Sequence, residues 1–481
     1  MIRRGFVLLA LLLLASCSLA PDYHRPETPA ISVYKEAAST PDDQSAAWSP
    51  AKPGAADAPR GPWWQVFNDP LLNDLESKLV NANQNLKAAV ARYDEARAGV
   101  GVARADYFPT VTGAANTGRQ QLSDTVTNTA PTTLYNATSV GLDASYELDL
   151  WGRVRNNVAG AENRAQASAA DLAAVNLSLQ SELAMDYFML RGDGTSQQTL
   201  DETVTAYQKA LELTQNRHNG GAATESDVDQ AETQLQNAKT MAEDVRLKRA
   251  QLEHAVAVLT GAMPSGFTLP PATMGDQQAQ EKIILIDPGV PSALLERRPD
   301  IAEAERLVAA ANADIGVARA AYFPDFTLTG GIGYESAVFK NLLKSSSLFW
   351  SLGPSVTTPL FDGGRIASMS DQARAAYQET VANYRQTVLA AYQEVEDNLA
   401  AIRQLDKEHE SQAAATAAAE RALTQAKNRY TGGIVTYLEV VVAQNTALQA
   451  ELAFVDIRTR QLNAHVGLIK ALGGGWMHNS F

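Results

Sequence analysis

The side chains that could carry out chemistry in this sequence are few, and their spacing assembles no familiar reaction centre. The six histidines show no metal-ligand spacing, and no serine lies in the nucleophile elbow of a hydrolase. Gly363 and Gly364 lack the downstream Gly-Lys-Ser/Thr of a nucleotide-binding loop. The sequence therefore predicts neither an enzyme nor a bound metal or other cofactor.

Cys17 is the only cysteine, so an intrachain disulfide is impossible. Two arginines precede an apolar run from Phe6 to Leu14, and two small residues lie directly before the cysteine. This order is typical of a secretory signal, and small residues before a cysteine resemble a bacterial lipoprotein signal. We expect residues 1–16 to be a lipoprotein signal peptide and Cys17 to carry a covalent lipid. An ordinary signal with an incidental cysteine is the alternative.

The charge and composition limit the partners and the N-terminal structure. The net charge of -14 argues against a protein that binds nucleic acid electrostatically. Ser18, rather than an aspartate, follows the cysteine, which favours transit to the outer membrane. Residues 17–62 are rich in Pro, Ala, Asp and Ser, and we expect them to form an extended N-terminal arm.

The stretch from Arg365 to Thr431 contains no glycine or proline and is dense in helix-forming residues. Apolar residues recur along its first half at spacings of four and three, which is the heptad pattern of a helix packed along a partner helix. A continuous helix of this length would extend roughly 100 Å. A simple fibrous coiled coil is the alternative to a larger helical assembly.

An internal repeat organises most of the chain. Val102–Pro109 returns 215 residues later, and the segments around Arg153 and Arg217 return 212 residues later. Each copy reads helix, strand, strand, long helix, turn and return helix. We expect its first helix at about 70–106 in the first copy and about 292–321 in the second. We predict a break or a kink in the first long helix at residues 192–194, where two glycines flank an aspartate. The expected divisions are a first repeat at 63–261, a connector at 262–291, a second repeat at 292–475 and a tail at 476–481.

Four short segments alternate apolar and polar residues, as strands with two different faces do. We place them at about 110–121, 138–149, 325–335 and 349–361. Together with the lipoprotein signal, this alternation predicts a small transmembrane β portion in a mainly α protein; a half-buried sheet of a soluble domain is the alternative. The side chains expected to face lipid are Val140, Leu142, Tyr146, Phe326, Leu328, Ile332, Tyr334, Trp350, Leu352 and Val356.

The number of strands predicts an oligomer. Open sheet edges are not tolerated in lipid, and the smallest bacterial barrels have about eight strands. One chain supplies four predicted strands, so several copies must close the barrel together. The residues alone do not choose between two, three or four copies.

Several segments resemble the signature of the outer-membrane factors of RND-type multidrug efflux systems, the lipoprotein branch of the TolC-like proteins. The signature covers Leu294–Ile301, Ala310–Gly316 and Phe323-Pro324, and the segments Pro21-Asp22-Tyr23 and Lys470–Trp476 resemble the same branch. The resemblance extends over nearly the whole mature chain.

This resemblance implies a homotrimer in the Gram-negative outer membrane, with a barrel of about twelve strands that continues into a periplasmic tube of helices. It also implies a periplasmic membrane-fusion adaptor and an inner-membrane RND pump as partners, and a passive exit duct for drugs or other small solutes. Two alternatives stay open: the exit duct of a type I protein secretion system, and a structural envelope lipoprotein that conducts nothing.

The resemblance places the adaptor-docking motif at the two turns between long and return helices. The motif runs from a glycine through an apolar position to a hydroxyl residue. The corresponding residues are Gly220, Gly221, Thr224, Gly432, Gly433 and Thr436. Gly221 and Gly433 depart from the family pattern, which often has Leu, Val or Thr there.

Overall fold

The computed structural model describes residues 18–28, 31, 33–36, 61–121, 134–270, 273–274 and 294–474. These residues form two compact units. Residues 18–27, Ala91–Ala169 and Glu303–Gln386 form the strand unit, and the described parts of Thr28–Val90, Ala170–Ala302 and Thr387–Phe481 form the hairpin unit. Cys17 and the predicted signal peptide lie outside the described residues.

The two repeats contain matching helices and strands. The first consists of α1 (Pro70–Ala82), α2 (Gln84–Ala105), β1 (Thr110–Gln121), β2 (Leu134–Glu147), α3 (Arg153–Asn219) and α4 (Glu225–Leu259). The second consists of α5 (Leu294–Arg297), α6 (Pro299–Ala320), β3 (Asp325–Ser336), β4 (Leu348–Thr357), α7 (Arg365–Thr431) and α8 (Tyr437–Ala471). Because α3 and α7 each have 67 residues and α4 and α8 each have 35, the predicted duplicated architecture is confirmed.

The strands form one antiparallel sheet in the order β1-β2-β3-β4. The central pairing, β2 with β3, joins the two repeats and sets Leu142 opposite Ile332. Ile332 in turn lies opposite Trp350 of β4. Among the described strands, β1 and β4 are the two edges of the sheet.

Two strands differ from their predicted bounds. β2 runs from Leu134 to Glu147 instead of 138–149, because the Asp149 carboxylate accepts hydrogen bonds from the backbone N–H of Val154 at 3.1 Å and thereby caps α3. β4 ends at Thr357 instead of 361. Pro359 has no N–H to offer a strand, and Asp362 accepts hydrogen bonds from two N–H groups at the start of α7.

The prediction of a break at residues 192–194 was wrong, because α3 is one continuous helix through this segment. A Cβ at position 192 would overlap the Thr459 side chain of α8, so the glycine permits the two helices to approach closely. This contact outweighs the cost of about 1 kcal/mol that an interior glycine carries relative to alanine.

The first predicted helix, about 70–106, is instead two helices separated at Asn83. The Asn83 side-chain amide donates to the Leu259 carbonyl at 2.8 Å, while its oxygen accepts from the N–H of Leu86 at 2.9 Å. One buried side chain therefore caps the start of α2 and binds the end of α4. The helix boundary is a tertiary contact with no strong local sequence signal.

The hairpin unit has its apolar core where α1 packs against the long and return helices. Leu72, Leu75 and Leu79 of α1 are fully buried, and Phe67 packs against Phe188 with ring centroids 4.8 Å apart and ring planes inclined by 60°. The same cluster contains buried residues of α4 and α8. The core therefore fixes the bases of both hairpins. No helix among the described residues is long and apolar enough to cross a membrane.

Candidate channel wall and docking tips

All ten side chains predicted to face lipid lie on the same face of the sheet. Side chains of directly opposite residues in an antiparallel pair share a face, and the register sets Val140 opposite Tyr334 and Tyr146 opposite Leu328. The β3–β4 register continues the same rows with Phe326 opposite Val356. Several of these side chains are strongly exposed, such as Trp350 at 73% and Leu352 at 69%. We call this the apolar face.

The opposite face of the sheet is polar and acidic. It carries Asp143, Glu147, Asp325 and Glu335 among serines, threonines and glycines. The aromatic side chain of Phe349 also lies on this face, directly over Gly333, where a Cβ would come within 2.9 Å of the Phe349 ring. The period of two in the sequence already places Phe349 on the same face as Ser351 and Ser355.

The junctions between strands and long helices are held by side chains of the strand unit. Trp151 donates from Nε1 to the Pro324 carbonyl at 2.9 Å and stacks on Phe323 at a centroid distance of 4.7 Å. Arg153 forms an ion pair with Glu147 at the end of β2. These contacts fix the direction in which α3 leaves the sheet.

The N-terminal segment from residue 18 to residue 27 binds to the helices of the strand unit. The Ser18 hydroxyl donates to Asn156 in the first turn of α3 at 3.0 Å, and Asn312 of α6 donates to the Pro21 carbonyl at 2.8 Å. The Tyr23 hydroxyl donates to the buried Glu305 carboxylate. Burial, and secondarily this hydrogen bond, raise the pKa of Tyr23 well above its usual value, so the hydroxyl stays protonated. The arm is thus held to these helices at Ser18, Pro21 and Tyr23.

The two tip turns connect α3 to α4 and α7 to α8. Gly221 and Gly433 have φ angles of 75° and 72°, a left-handed conformation that glycine adopts without strain. The N–H of Ala222 donates to the Arg217 carbonyl, and the N–H of Ile434 donates to the Arg429 carbonyl. Both long helices, α3 and α7, therefore end in a Schellman motif. The sequence suggested that Gly220 and Gly432 end the long helices. The structure instead requires glycine at the next position, Gly221 and Gly433, because φ is positive there.

The two hydroxyl residues of the tips have different roles. Thr224 accepts a hydrogen bond from the N–H of Asp227 at 3.2 Å, and the Asp227 carboxylate accepts from the N–H of Thr224 at 2.9 Å, which forms a capping box. Thr436 is the N-cap of α8, but its side chain makes no capping hydrogen bond. The Thr224 hydroxyl thus takes part in hydrogen bonds within the turn, whereas the Thr436 hydroxyl makes no capping hydrogen bond.

Charged and aromatic side chains hold the tips together. Arg217 of the first hairpin lies over the Tyr430 ring of the second, 4.6 Å from its centroid. His218 lies 3.0 Å from the Glu225 carboxylate across the first turn, and Arg429 lies 2.5 Å from the Glu439 carboxylate across the second. Of these three contacts, the cation–π interaction between Arg217 and Tyr430 joins the two hairpins, whereas the other two each lie within one hairpin.

A buried polar cluster fixes the base of the first hairpin. Arg191 donates to the Asp69 carboxylate at 2.9 Å and to the Tyr187 hydroxyl at 2.7 Å, and all three side chains are less than 10% exposed. Asp69 also accepts from two N–H groups at the start of α1. The sequence reading missed this cluster, because residues 118 positions or more apart meet only in the folded chain.

Glu76 is a second buried group that the sequence reading missed. It is 0% exposed on the leucine-lined helix α1, and neither carboxylate oxygen has a hydrogen-bond partner among the described residues. Burial raises the pKa of Glu76 to about 9, so it is protonated at neutral pH. Its position between Leu75 and Leu79 on the apolar stripe is the signal that could have identified it.

Arg298 occupies the second-repeat position that corresponds to Asn83. It donates to the Ala471 carbonyl at 3.1 Å at the end of α8, as Asn83 does to the Leu259 carbonyl at the end of α4. Arg298 adds ion pairs with Asp300 and Glu394, both at 2.6 Å. Each return helix is therefore tied at its C-terminal end by the side chain at the helix break.

An antiparallel sheet with one apolar face, together with paired helical hairpins, defines a channel of the outer-membrane efflux class. The sequence profile of the family described as outer membrane efflux protein matches residues 75–262 and 290–474. The chain belongs to this family, and the resemblance drawn from the sequence is confirmed. The predicted class of fold, the location in the outer membrane and the function as an efflux channel are confirmed with it.

Individual relatives agree in sequence and in fold. The chain is 34% identical over 469 residues to the probable efflux pump outer membrane protein TtgC of Pseudomonas putida, covering 96% of this chain and 94% of TtgC. It is 33% identical over 470 residues to the outer membrane protein OprJ of Pseudomonas aeruginosa, covering 98% and 95%. The crystal structure of the Campylobacter jejuni CmeC outer membrane channel superposes with a TM-score of 0.84 at 26% identity, covering 97% and 96%.

Proposed function

We propose that three copies of this chain form the exit duct of a tripartite RND-type efflux pump, which passively conducts small solutes from the periplasmic components to the exterior. The observation that carries this proposal is the four-stranded sheet, which has one apolar face and two edges, β1 and β4. A sheet with open edges is not tolerated in lipid, and three such sheets joined edge to edge make a closed barrel of twelve strands. No catalytic step and no cofactor other than a lipid is part of the proposal.

The apolar face contacts outer-membrane lipid in this assembly. Its exposed Leu142, Ile332 and Trp350 form a row across three strands, as lipid-facing side chains of a barrel do. The acidic face then lines the bore. Carboxylates such as those of Asp143 and Glu335 attract cations and repel anions, which gives the pore a cation preference.

The arm supports lipid attachment at Cys17. Ser18, the next residue, is hydrogen-bonded in the first turn of α3, which begins six residues after β2 ends. Cys17 directly precedes Ser18 in the sequence, and we propose that its lipid chains insert into the inner leaflet of the outer membrane. The lipid adds a hydrophobic anchor to the barrel.

The tips are the docking surface for a periplasmic adaptor. Gly221 and Gly433 set the turn geometry and supply no apolar side chain. In the second tip Ile434, which is 72% exposed, supplies the apolar contact one residue later. Thr436 presents a hydroxyl that capping does not use, whereas the first tip has only the small apolar side chains of Ala222 and Ala223, and the Thr224 hydroxyl already takes part in the capping box. The second tip therefore offers more side chains for contact with an adaptor than the first tip does.

The substrates are small solutes selected by the upstream pump. Relatives are described as outer membrane proteins of an antibiotic pump, a toluene pump and a cation efflux system. This range fits a shared duct that does little selecting, and we assign no single compound to it.

Two measurements test the proposal together. A strain lacking the gene is expected to become hypersensitive to several unrelated compounds, and the wild-type gene is expected to restore resistance. The purified acylated protein is expected to run as a trimer and to conduct cations in a planar bilayer. Unchanged sensitivity in a strain that normally makes the protein, or a protein that stays monomeric in the outer membrane, would refute it.

A further inference from the structure

Residues 337–347 join β3 to β4 at one end of the sheet, and we call them the outer loop. Both long helices begin shortly after the opposite ends of β2 and β4. Because the helices of an outer-membrane efflux protein extend into the periplasm, the outer loop lies at the external surface of the outer membrane.

The outer loop is compact and is held together by its own hydrogen bonds. It contains two short 3-10 turns, Phe339–Asn341 and Ser345–Ser347. The Ser347 hydroxyl donates to the Asn341 carbonyl at 2.9 Å and thereby ties the two turns together. Leu342, between the turns, is buried. The loop therefore presents a defined surface to its surroundings.

Both ends of the outer loop adjoin the apolar face of the sheet. Ser336 shares that face with Tyr334, because side chains two positions apart along a strand point the same way. The Ser336 hydroxyl accepts from the N–H of Val338 at 3.2 Å and donates to the Val338 carbonyl at 3.0 Å. At the other end, Leu348 lies opposite Tyr334 and so belongs to the same face. The loop thus begins and ends at the lipid-facing side.

The outer loop exposes large apolar side chains. Phe339 is 78% exposed and Leu343 is 75% exposed, and Val338 is also exposed. Such residues are unusual at the surface of a loop that faces only water, and a group of them indicates a contact with a partner or with lipid. Here they extend the apolar face, which includes Trp350 of β4, beyond the ends of the strands.

The same end of the sheet is basic on its lipid-facing side. Lys340 and Lys344 of the outer loop are exposed, and neither side chain forms an ion pair within the described part of the chain. The register places Arg119, near the end of β1, on the apolar face as well. The acidic residue at this end of the described strands, Glu335, lies on the opposite face. In a chain with a net charge of -14, this side therefore carries a local excess of cations.

We infer that the outer loop binds the phosphate-bearing glycolipid of the outer leaflet, with Lys340 and Lys344 against its phosphates and Phe339 and Leu343 among its acyl chains. The inference rests on the proposed barrel, which turns the apolar face toward lipid. Cations alone would fit any anion, and apolar side chains alone would fit any lipid. The two together select a molecule that carries phosphate and acyl chains at once.

Lysine suits this role because its ammonium is a compact charge on a flexible stem, which reaches a phosphate without a fixed geometry. The attraction of one lysine to an anionic membrane surface corresponds to about a fivefold change in binding. Lys340 and Lys344 together therefore account for about a 30-fold change at low salt. Added salt is expected to reduce this factor, because both side chains are exposed to water.

Lipid titrations of the full-length acylated protein test the inference. The protein is stripped of lipid in a nonionic detergent, and the melting temperature of the trimer is followed as diphosphorylated lipid A is added. Dephosphorylated lipid A and inorganic phosphate are titrated in parallel. The neutral variant is Lys340→Gln with Lys344→Gln, and the charge-retaining variant has arginine at both positions. Lys407→Gln with Lys427→Gln, at exposed positions of α7, is the matched control.

Diphosphorylated lipid A is expected to raise the melting temperature of the wild type, the charge-retaining variant and the matched control alike. The neutral variant is expected to need about 30-fold more of this lipid for the same rise. Dephosphorylated lipid A should bind the wild type and the neutral variant equally, and inorganic phosphate should leave the melting temperature unchanged. Phe339→Ser with Leu343→Ser should weaken the binding of both lipids, because it removes the contact with acyl chains.

Several results would overturn the inference while the wild type remains a trimer that supports efflux. Equal titrations of the neutral variant and the wild type would exclude a role of the lysines. A rise in melting temperature with inorganic phosphate alone would indicate a site for free anions. A neutral variant that melts at a lower temperature without any lipid would indicate that the loop contacts a neighbouring copy. Absence of trimer and efflux in the wild type itself would instead refute the proposed function.

Discussion

Replacing Leu142 with arginine tests whether the apolar face of the sheet contacts lipid. Leu142 lies in β2 between two neighbouring strands, opposite Gly113 of β1 and Ile332 of β3, and is 54% exposed in one chain. Position 142 lies well inside a strand that runs from Leu134 to Glu147. An arginine there has little opportunity to reach water at the edge of the membrane.

The expected effect is large because the barrel repeats the substitution. A lipid-facing arginine near the bilayer midplane costs about 2–4 kcal/mol, so three copies cost about 6–12 kcal/mol per barrel. Even one copy shifts the folding equilibrium by about 30-fold to 1,000-fold. The sum is comparable to the whole stability of a typical folded domain, so little assembled protein is expected.

The matched control is Ser139→Arg in the same strand. Ser139 lies on the polar face opposite Glu335, so an arginine there gains an acidic neighbour and stays in the water-filled bore. Trimer in isolated outer membranes is quantified for both variants on gels of unheated samples. We expect Leu142→Arg to lose most of its trimer and Ser139→Arg to keep it. Equal amounts of trimer in the two variants would contradict the assignment of the faces.

Three further substitutions probe the hairpin unit. The pKa of Glu76 is raised from 4.5 to about 9 in the folded chain. As the pH rises between those values, the free energy of unfolding of the wild type is expected to fall by about 1.4 kcal/mol per pH unit. Glu76→Gln should remove this fall, and equal pH dependences of urea unfolding in the two proteins would contradict the prediction. Gly221→Ala is expected to cost about 1–2 kcal/mol because of its positive φ, whereas Gly220→Ala should be neutral or slightly stabilising, and the two melting curves decide. Arg191→Met removes the buried ion pair between Arg191 and Asp69 and should cost about 3–5 kcal/mol; an unchanged unfolding midpoint would refute this.

Regular features of the sequence predicted most of the fold. The predicted long helix at Arg365–Thr431 has the same bounds in the structure, because it lacks helix-breaking residues and continues until a Schellman glycine. The internal repeat then located α3 and both return helices. The alternation of apolar and polar residues correctly predicted which side chains share a face of the sheet. It could do so because the period of two along a strand does not depend on the neighbouring strands.

Features that depend on distant residues were missed or wrong. The break expected near Gly192 was wrong because the glycine serves a different purpose. It leaves room for Thr459 of α8 to pack closely against α3. The helix boundary at Asn83 and the buried cluster of Asp69 and Arg191 also depend on partners far away in the chain. Local propensity carries no information about such contacts, and Glu76 was passed over because a charged residue on a helix is ordinarily assumed to face water.

The sequence by itself determined the duplicated order of elements, the two faces of each strand and the positions of the tip turns, because these follow from periodicity and from glycine. The tertiary structure decided which helices meet. Leu200 and Leu448 share a buried cluster. The equivalent positions of the other repeat, 212 residues away, are Gln412, which is half-buried, and Gln236, which is exposed. No periodicity within a segment distinguishes these two cases, because the contact of a helix face is set by the packing of separate segments in space.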